Sequence, residues 1–446
     1  MNKNLLPGNG PCALLVLLLG VSVPGFAADK ELLDILLANG AIDQAQYDRL
    51  IQKEELEKAD VDEVITTLDS SGFRVKSSDG NFSIKIGTRL HAEMSTHRGD
   101  LPVGIEPVNG SELRRARIET SGTFHDNWSW AAEVDIADNL TAVKDFWLGY
   151  TTAGGTKLSI GSQKQPYSLN VEMSSNDLPF IERSIDNFIL VPFADRAVGI
   201  RADKSGSNWF ASAGLFGETV NPNIINDAEG WGVSGRFVYA PIIEDDQVLH
   251  LGVRAMQRTP STSDPSFRIR DETTHMSSLR IVDTGVIDAV DKNTLTGFEA
   301  AYARGPFSIT GEYTALETDR IGLPSLSFDG WTVWGTWSIT GESRASSYRI
   351  DAGEFKRLKQ GNDFSTANGT WGAWELALRY ASINLNDGTI VGGEEDVLTT
   401  GLNWYLNTNV RLMIEWSRIV GTDGSTELRD AAEGLNIYQF RAQYTF

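Results

Sequence analysis

Residues 82–94 read Phe-Ser-Ile-Lys-Ile-Gly-Thr-Arg-Leu-His-Ala-Glu-Met, and apolar and polar side chains alternate along most of this stretch. The even positions, such as Ile84 and Leu90, are mostly apolar, whereas the odd positions include Lys85 and Arg89. Successive side chains of a β-strand point to opposite faces, so the stretch predicts a strand with one apolar and one polar face. The same period of two recurs up to Phe446.

These repeats predict an all-β fold, a transmembrane antiparallel β-barrel of about 16 strands, each of the roughly ten-residue length that a tilted strand needs to cross a membrane. The barrel is expected over residues 80–446. A soluble β-sandwich also alternates, but it seldom contains so many strands in one domain. Aromatic pairs at the ends of the apolar faces favour two membrane-interface girdles. These pairs are Trp128/Trp130, Trp404/Tyr405 and Tyr444/Phe446.

Both ends of the chain carry features of exported proteins. An apolar run from Ala13 to Val23 follows Lys3 and precedes Ala27, which predicts a secretory signal peptide over residues 1–27. The one cysteine, Cys12, lies inside that segment, so no disulfide is expected. Residues 437–446 alternate aromatic and polar side chains and end on Phe, which resembles the C-terminal strand of bacterial outer-membrane proteins.

Residues 28–76 are predicted to form a helical N-terminal segment in the periplasm. A short apolar helix is predicted from Leu32, Leu33, Ile35, Leu36 and Leu37, and it is followed by Asn39-Gly40, a helix-stop signal. Asp43 with Gln46 three residues later matches a capping box, which predicts the start of a second helix. The pattern leaves open whether this segment is a tether or an oligomerisation helix.

Charge and motif content exclude two classes of protein. The net charge of -21 disfavours nucleic-acid binding, because phosphates must be neutralised by Lys and Arg. No histidine lies in a Gly-x-Ser-x-Gly elbow or in a cluster with metal-ligand spacing. We therefore expect no enzyme activity, no cofactor and no metal. The histidines are His91, His97, His125, His250 and His275.

Six ordered blocks resemble the phosphate-selective porin O and P family from about Gly80 to Phe446. They are residues 112–117 (Glu-Leu-Arg-Arg-Ala-Arg), 144–150, 160–169, 180–184, 372–380 and 401–405. The resemblance implies a porin of the bacterial outer membrane, in contact with its lipid and usually a homotrimer. It also implies a third loop folded into the pore, and residues 165–195 fit that loop. The expected function is passive diffusion of small anions such as phosphate or polyphosphate.

The predicted pore lining combines alternation with the family blocks. Arg forms bidentate hydrogen bonds with phosphate, so inward-facing arginines would suit an anion pathway. Acids such as Glu93 and Glu133 share the inner face, which leaves a general or cation-preferring porin as the alternative. The predicted pathway residues are Lys85, Arg89, Arg115, Arg117, Arg201, Arg236 and Arg254 on strands, with Lys164, Arg183 and Arg196 in or beside the constriction loop. Further inward positions are Arg258, Arg379 and Arg411.

Overall fold

A computed structural model describes residues 30–60, 64–70, 72–102, 105–193, 195–220 and 228–446. The chain divides into two compact units, residues 1–63 and 64–446. The first contains helix α1, Lys30–Ala38, and helix α2, Gln44–Asp60. The predicted capping box is confirmed, because the backbone N–H of Gln46 donates to Asp43 at 2.7 Å and that of Asp43 donates to Gln46 at 2.9 Å. The predicted signal peptide, 1–27, lies outside the described residues.

The second unit is a closed antiparallel barrel of sixteen strands, which confirms the predicted fold class and strand number. Each strand pairs with its neighbours along the chain, and the last strand pairs with the first. In chain order they are β1 Phe82–Arg98, β2 Asn109–Phe124, β3 Trp128–Asp135, β4 Ala142–Thr151, β5 Lys157–Lys164, β6 Arg196–Ser205, β7 Trp209–Phe216, β8 Trp231–Ile243, β9 Gln247–Thr259, β10 Val290–Arg304, β11 Phe307–Arg320, β12 Leu323–Ser338, β13 Ala373–Asp387, β14 Ile390–Tyr405, β15 Val410–Thr422 and β16 Asn436–Thr445.

Strands β1 and β16 close the barrel in a register that runs from Arg89 opposite Thr445 to Arg98 opposite Asn436. The backbone N–H of Thr88 also donates to the carbonyl of Phe446 at 3.0 Å. Closure leaves no open sheet edge, which is the condition for a β structure to survive in a lipid bilayer.

The alternation of β1 is confirmed by its burial. Leu90 and Met94 are 40% and 60% exposed on the outer face, whereas Arg89 and His91 are buried on the inner face. The other strands follow the same arrangement, so the outside of the barrel is apolar and the inside is polar. This is the reverse of a soluble protein and is the pattern of a transmembrane barrel.

Residues 64–77 correct the prediction of a helical segment through residue 76. They form a β-hairpin, Val64–Asp69 and Gly72–Ser77, whose second strand pairs with the start of β1 between Phe73/Ile86 and Lys76/Ser83. The run Val-Ile-Thr-Thr favours strand over helix because all four of its side chains branch at Cβ. Gly72 has φ +124°, which suits glycine at the turn.

Outward aromatic residues stack across neighbouring strands. The rings of Trp374 and Trp404 lie 4.8 Å apart, and those of Trp128 and Tyr150 lie 5.0 Å apart. The predicted girdle position of Tyr405 is wrong. Tyr405 follows Trp404 directly, so it faces inward, where it is buried and its hydroxyl donates to Glu375 at 2.8 Å.

The loops differ at the two ends of the barrel. The turn end holds Phe82 and Phe446, and most of its connections are short, except residues 339–372. The opposite, loop end holds residues 165–195 and 260–289. Among the described residues, no α-helix has the length and apolar character of a membrane span. The small loop elements are helix α3 Leu169–Glu172, helix α4 Glu427–Ala432, 3₁₀ helices Ala137–Asn139, Ile185–Ile189 and Ala345–Ser347, and short strands Tyr348–Arg349, Glu354–Phe355, Phe364–Ser365 and Thr370–Trp371.

Candidate functional site

The constriction loop, residues 165–195, leaves the wall after β5 and reaches strands on the far side of the lumen. Carboxylates of three such strands accept hydrogen bonds from its backbone. Glu299 of β10 accepts from the N–H of Leu169 at 2.9 Å, and Glu415 of β15 accepts from that of Ile181 at 2.9 Å. Glu312 of β11 accepts from the N–H of Asn170 at 2.8 Å. A buried backbone donor is costly to leave unpaired, so these acids hold the loop inside the barrel.

Wall cations bind the carbonyl groups of the same loop. Arg379 donates to the carbonyl of Glu182 at 2.9 Å, and Arg411 donates to that of Leu178 at 2.8 Å. The loop is thus fixed by charges of both signs. Many inward charges predicted from the alternation therefore brace the loop instead of facing open water.

Two cavities lie on either side of the loop. The loop-end cavity has a volume of about 350 Å³ and is lined partly by residues 272–275. The turn-end cavity, of about 610 Å³, is lined partly by Lys157, Asp203 and Lys356. Among the described residues, four line both cavities, and all four are basic. These are Arg115, Lys164, Arg183 and Arg196, here called the basic junction.

Two members of the basic junction are paired with acids. Arg115 forms a bidentate pair with Glu182, with distances of 2.9 and 3.1 Å. Arg196 forms another with Asp145, at 3.0 and 2.9 Å. Such pairs fix the guanidinium planes and so set the shape of the passage.

The other two members contact carbonyl oxygens. Lys164 Nζ donates to the carbonyls of Val171 and Glu172 at 2.8 and 2.9 Å. Arg183 donates to the carbonyls of Asn170 and Met173 at 2.7 and 2.9 Å. Among the described residues, no carboxylate lies within ion-pair distance of either cation. Burial lowers the pKa of Arg183 to about 10, and the charge of Arg115 acts in the same direction, so Arg183 stays protonated at neutral pH.

A β-bulge brings a second arginine to Glu182. The pairing of β1 with β2 shifts between His91/Arg115 and Ala92/Leu113, which leaves Arg114 as the extra residue. Arg114 Nε lies 3.1 Å from Glu182 Oε1, although strict alternation would turn it outward. Arg441 of β16 lies 2.9 Å from the same oxygen. The sequence prediction missed both arginines.

Three further predicted residues line the turn-end cavity beside acids. Arg117 contacts Glu133 and Asp135 at 2.6 and 2.7 Å. The others are Arg89, paired with Glu119, and Arg201, paired with Glu172 and Asp203. Lys356 also lines this cavity from the long turn-end loop and was missed, since a loop carries no alternation to indicate its direction.

Lys85, Arg236 and Arg254 line neither cavity. Lys85 lies near the turn end of β1, opposite Arg74 of the hairpin. Arg236 and Arg254 are fully buried against Glu299, with N–O distances of 2.5 and 2.8 Å. Both face inward, as the alternation predicted, but they lie behind the loop, where they are shielded from the open lumen.

A sixteen-stranded barrel with an apolar exterior, and with a loop that divides its charged lumen, defines an outer-membrane porin. The sequence profile described as "Phosphate-selective porin O and P" matches residues 84–446, so the chain belongs to this family. Proteins of this family and fold are channels.

Curated and solved relatives agree with this assignment. Porin O of Pseudomonas aeruginosa is 26% identical over 413 residues, which cover 84% of this chain and 91% of that protein. The anion-selective porin from Comamonas acidovorans has a similar fold, with a TM-score of 0.55 at 11% identity. The match covers 82% of this chain and 100% of that one. The trimer form of OmpT from Vibrio cholerae gives a TM-score of 0.50 at 16% identity, covering 82% and 99% of the two chains.

Proposed function

We propose that this porin conducts small anions such as phosphate or polyphosphate by passive diffusion. The observation that carries the proposal is the basic junction, because every described residue that lines both cavities is basic. A narrow passage with low-dielectric walls selects ions through the charged side chains that line it. The family description and the anion-selective relative from Comamonas acidovorans support the same sign of selectivity.

The proposed pathway includes seven of the ten predicted residues. Arg and Lys side chains at the junction offer several N–H donors to an anion that has lost part of its water shell. Lys164 and Arg183 carry the greatest weight, since neither forms an ion pair with a carboxylate of the described residues. The seven are Arg89, Arg115, Arg117, Lys164, Arg183, Arg196 and Arg201.

A general or cation-preferring porin is the second candidate. The observation in its favour is the number of acids beside the pathway arginines, for example Glu182 on Arg115 and Asp145 on Arg196. Paired charges of opposite sign largely cancel at a distance. In that case the lumen would select by size more than by charge.

The reversal potential in a salt gradient across a planar bilayer separates the two candidates. We expect an anion-directed potential for the wild type. A K164Q/R183Q variant should lower the anion-to-cation permeability ratio by about fivefold or more, since a unit charge at 4 Å contributes about 1 kcal/mol even at the dielectric constant of water. A K164R/R183K variant should retain the ratio.

Lys85→Gln is the matched control, because Lys85 lines neither cavity, and it should leave the ratio unchanged. A cation-directed potential in the wild type, with no block of the current by added phosphate, would contradict the anion pathway and favour the second candidate.

We also propose that residues 1–27 direct export and are removed, that the α1–α2 segment lies in the periplasm, and that the porin is a homotrimer in the outer-membrane lipid. The apolar run and the small residues Gly25 and Ala27 support the first point. Short turns are usually periplasmic in such barrels, which supports the second. The similar fold of OmpT from Vibrio cholerae, which has a trimer form, supports the third.

A further inference from the structure

The two cavities differ in the chemistry of their walls. Among the described residues that line the turn-end cavity, one is aromatic, Trp147, and none is aliphatic. The loop-end cavity instead contains a series of apolar side chains opposite its basic residues. Apolar side chains that face water inside a polar pore are unusual and indicate contact with an apolar part of a ligand.

The apolar side chains begin two residues after Arg183. Ile185, Phe188 and Val191 recur every third residue, and all three line the loop-end cavity. Residues 185–189 form a 3₁₀ helix, in which side chains three apart lie on the same face. Ile189, on another face of this helix, is fully buried in the barrel core. The helix therefore presents one apolar face to the wall and another to the cavity.

Two wall residues add to this apolar lining. Val397 and Ile437 stand on the inner faces of β14 and β16 and are largely buried in an apolar cluster with Ile419 and Leu435. Both line the loop-end cavity, together with the basic junction. A molecule in this cavity would therefore meet basic side chains and also hydrocarbon, whose more exposed part is supplied by Ile185, Phe188 and Val191.

We infer that the loop-end cavity is a binding site for amphipathic organic anions, in which an anionic head such as a phosphonate or carboxylate binds the basic junction and a short alkyl or aryl tail lies on Ile185, Phe188 and Val191. This assignment rests on the proposed anion pathway and adds its substrate class. Full burial of a methylene contributes about 0.8 kcal/mol, a fourfold change in affinity, so a half-buried methylene should contribute about twofold.

Block of the chloride current through the full-length porin in planar bilayers tests the site, with inorganic phosphate, methylphosphonate and butylphosphonate as probes. Butylphosphonate should half-block the current at a concentration about eightfold lower than methylphosphonate, because it carries three more methylenes. The I185S/F188S variant should remove this difference and keep the block by phosphate. The milder V191S variant, at a residue already 54% exposed, should reduce the eightfold difference between the two phosphonates to about fourfold.

Val286→Ser is the matched control, since Val286 is an equally exposed valine of the loop end that does not line the cavity, and it should retain the eightfold difference. Equal block by methylphosphonate and butylphosphonate in the wild type overturns the apolar site and leaves the anion pathway standing. An eightfold difference that persists in both I185S/F188S and V191S overturns it too. Absence of block by every probe, with no anion selectivity, overturns the pathway and this site together.

Discussion

Glu299 lies at the centre of a buried charge cluster that neither cavity reaches. It contacts Arg236 and Arg254 at 2.5 and 2.8 Å and His250 at 3.1 Å, and it accepts the backbone N–H of Leu169. One carboxylate thus pairs with two wall arginines, of which Arg254 also pairs with Glu312 at 3.0 Å, and it anchors the constriction loop. At the scale of single residues, the inner face contains charges that support the pore as well as charges that line it.

Substitution of Glu299 by Gln should destabilise the barrel by about 3–5 kcal/mol, because the change leaves the buried Arg236 without its counter-charge. Urea titration of the folded protein in detergent, followed by tryptophan fluorescence, measures the free energy of unfolding. Glu317→Gln, at an exposed position on β11, is the control and should change it by less than about 0.5 kcal/mol. Equal stability of both variants would contradict the proposed role of Glu299.

The elements of the barrel show how a regular strand is adapted at the site. The bulge at Arg114 adds one residue to β2 and so turns two consecutive arginines toward Glu182.

The loop 260–289, at the loop end of the barrel, is held by a buried acid. Asp271 of this loop accepts the backbone N–H groups of Ile281 and Val282 at 2.8 and 3.1 Å and is fully buried.

The packing of this loop should weaken as the pH rises. Burial raises the pKa of Asp271 to about 7, whereas an unfolded Asp titrates near about 3.9. The backbone N–H groups of Val282 and Ile281 and the charge of Arg280 favour the charged form of Asp271, but burial outweighs them. The folded protein prefers protonated Asp271. The stabilisation of the loop by this residue is therefore complete below about pH 4 and is lost progressively as the pH rises to about 7.

Limited proteolysis within residues 260–289 should therefore become faster between pH 5 and 7, by up to about tenfold per pH unit. An Asp271→Asn variant keeps the acceptor oxygen and removes this titration, so its rate should vary less with pH than that of the wild type. Asp264→Asn, at an exposed residue of the same loop, should behave as the wild type. Identical pH profiles for the wild type and Asp271→Asn would rule out this titration.

At the scale of the whole molecule, the barrel places its apolar surface outside. Val253 of β9 is 58% exposed and is flanked by Phe237 and Phe298 on the adjacent strands. These three residues form part of a continuous apolar belt around the barrel. Because lipid replaces water around this belt, exposure of such side chains stabilises the protein in a membrane.

Val253→Arg should destabilise the barrel in lipid vesicles by about 2–4 kcal/mol, since a charge would enter the hydrocarbon layer. Val286→Arg is the matched control, because Val286 is a 59% exposed valine in a loop, and it should have little effect. Unfolding midpoints in urea, measured for both variants in vesicles, test the difference. A stable Val253→Arg barrel would place that strand face outside the bilayer.

The sequence by itself determined the strands, their faces and the closure of the barrel. Alternation with period two is a local property, so inward positions such as Arg115 and outward positions such as Leu90 follow directly from the chain. The capping box of α2 is local too. The girdle prediction for Tyr405 was wrong because it placed two consecutive residues on one face, against the alternation. The helix prediction for residues 64–77 was wrong because the pairing of a short strand depends on a distant partner.

Tertiary structure decided which inward charges reach open lumen. Arg236 and Arg115 are equivalent in the alternation, but the first lies behind the constriction loop and the second lines both cavities. That difference depends on contacts between residues more than a hundred positions apart, such as Leu169 with Glu299. The bulge at Arg114 likewise depends on the pairing of two strands. Periodicity sets the direction of a side chain, whereas its partner and its access to water are set by the packing of distant segments.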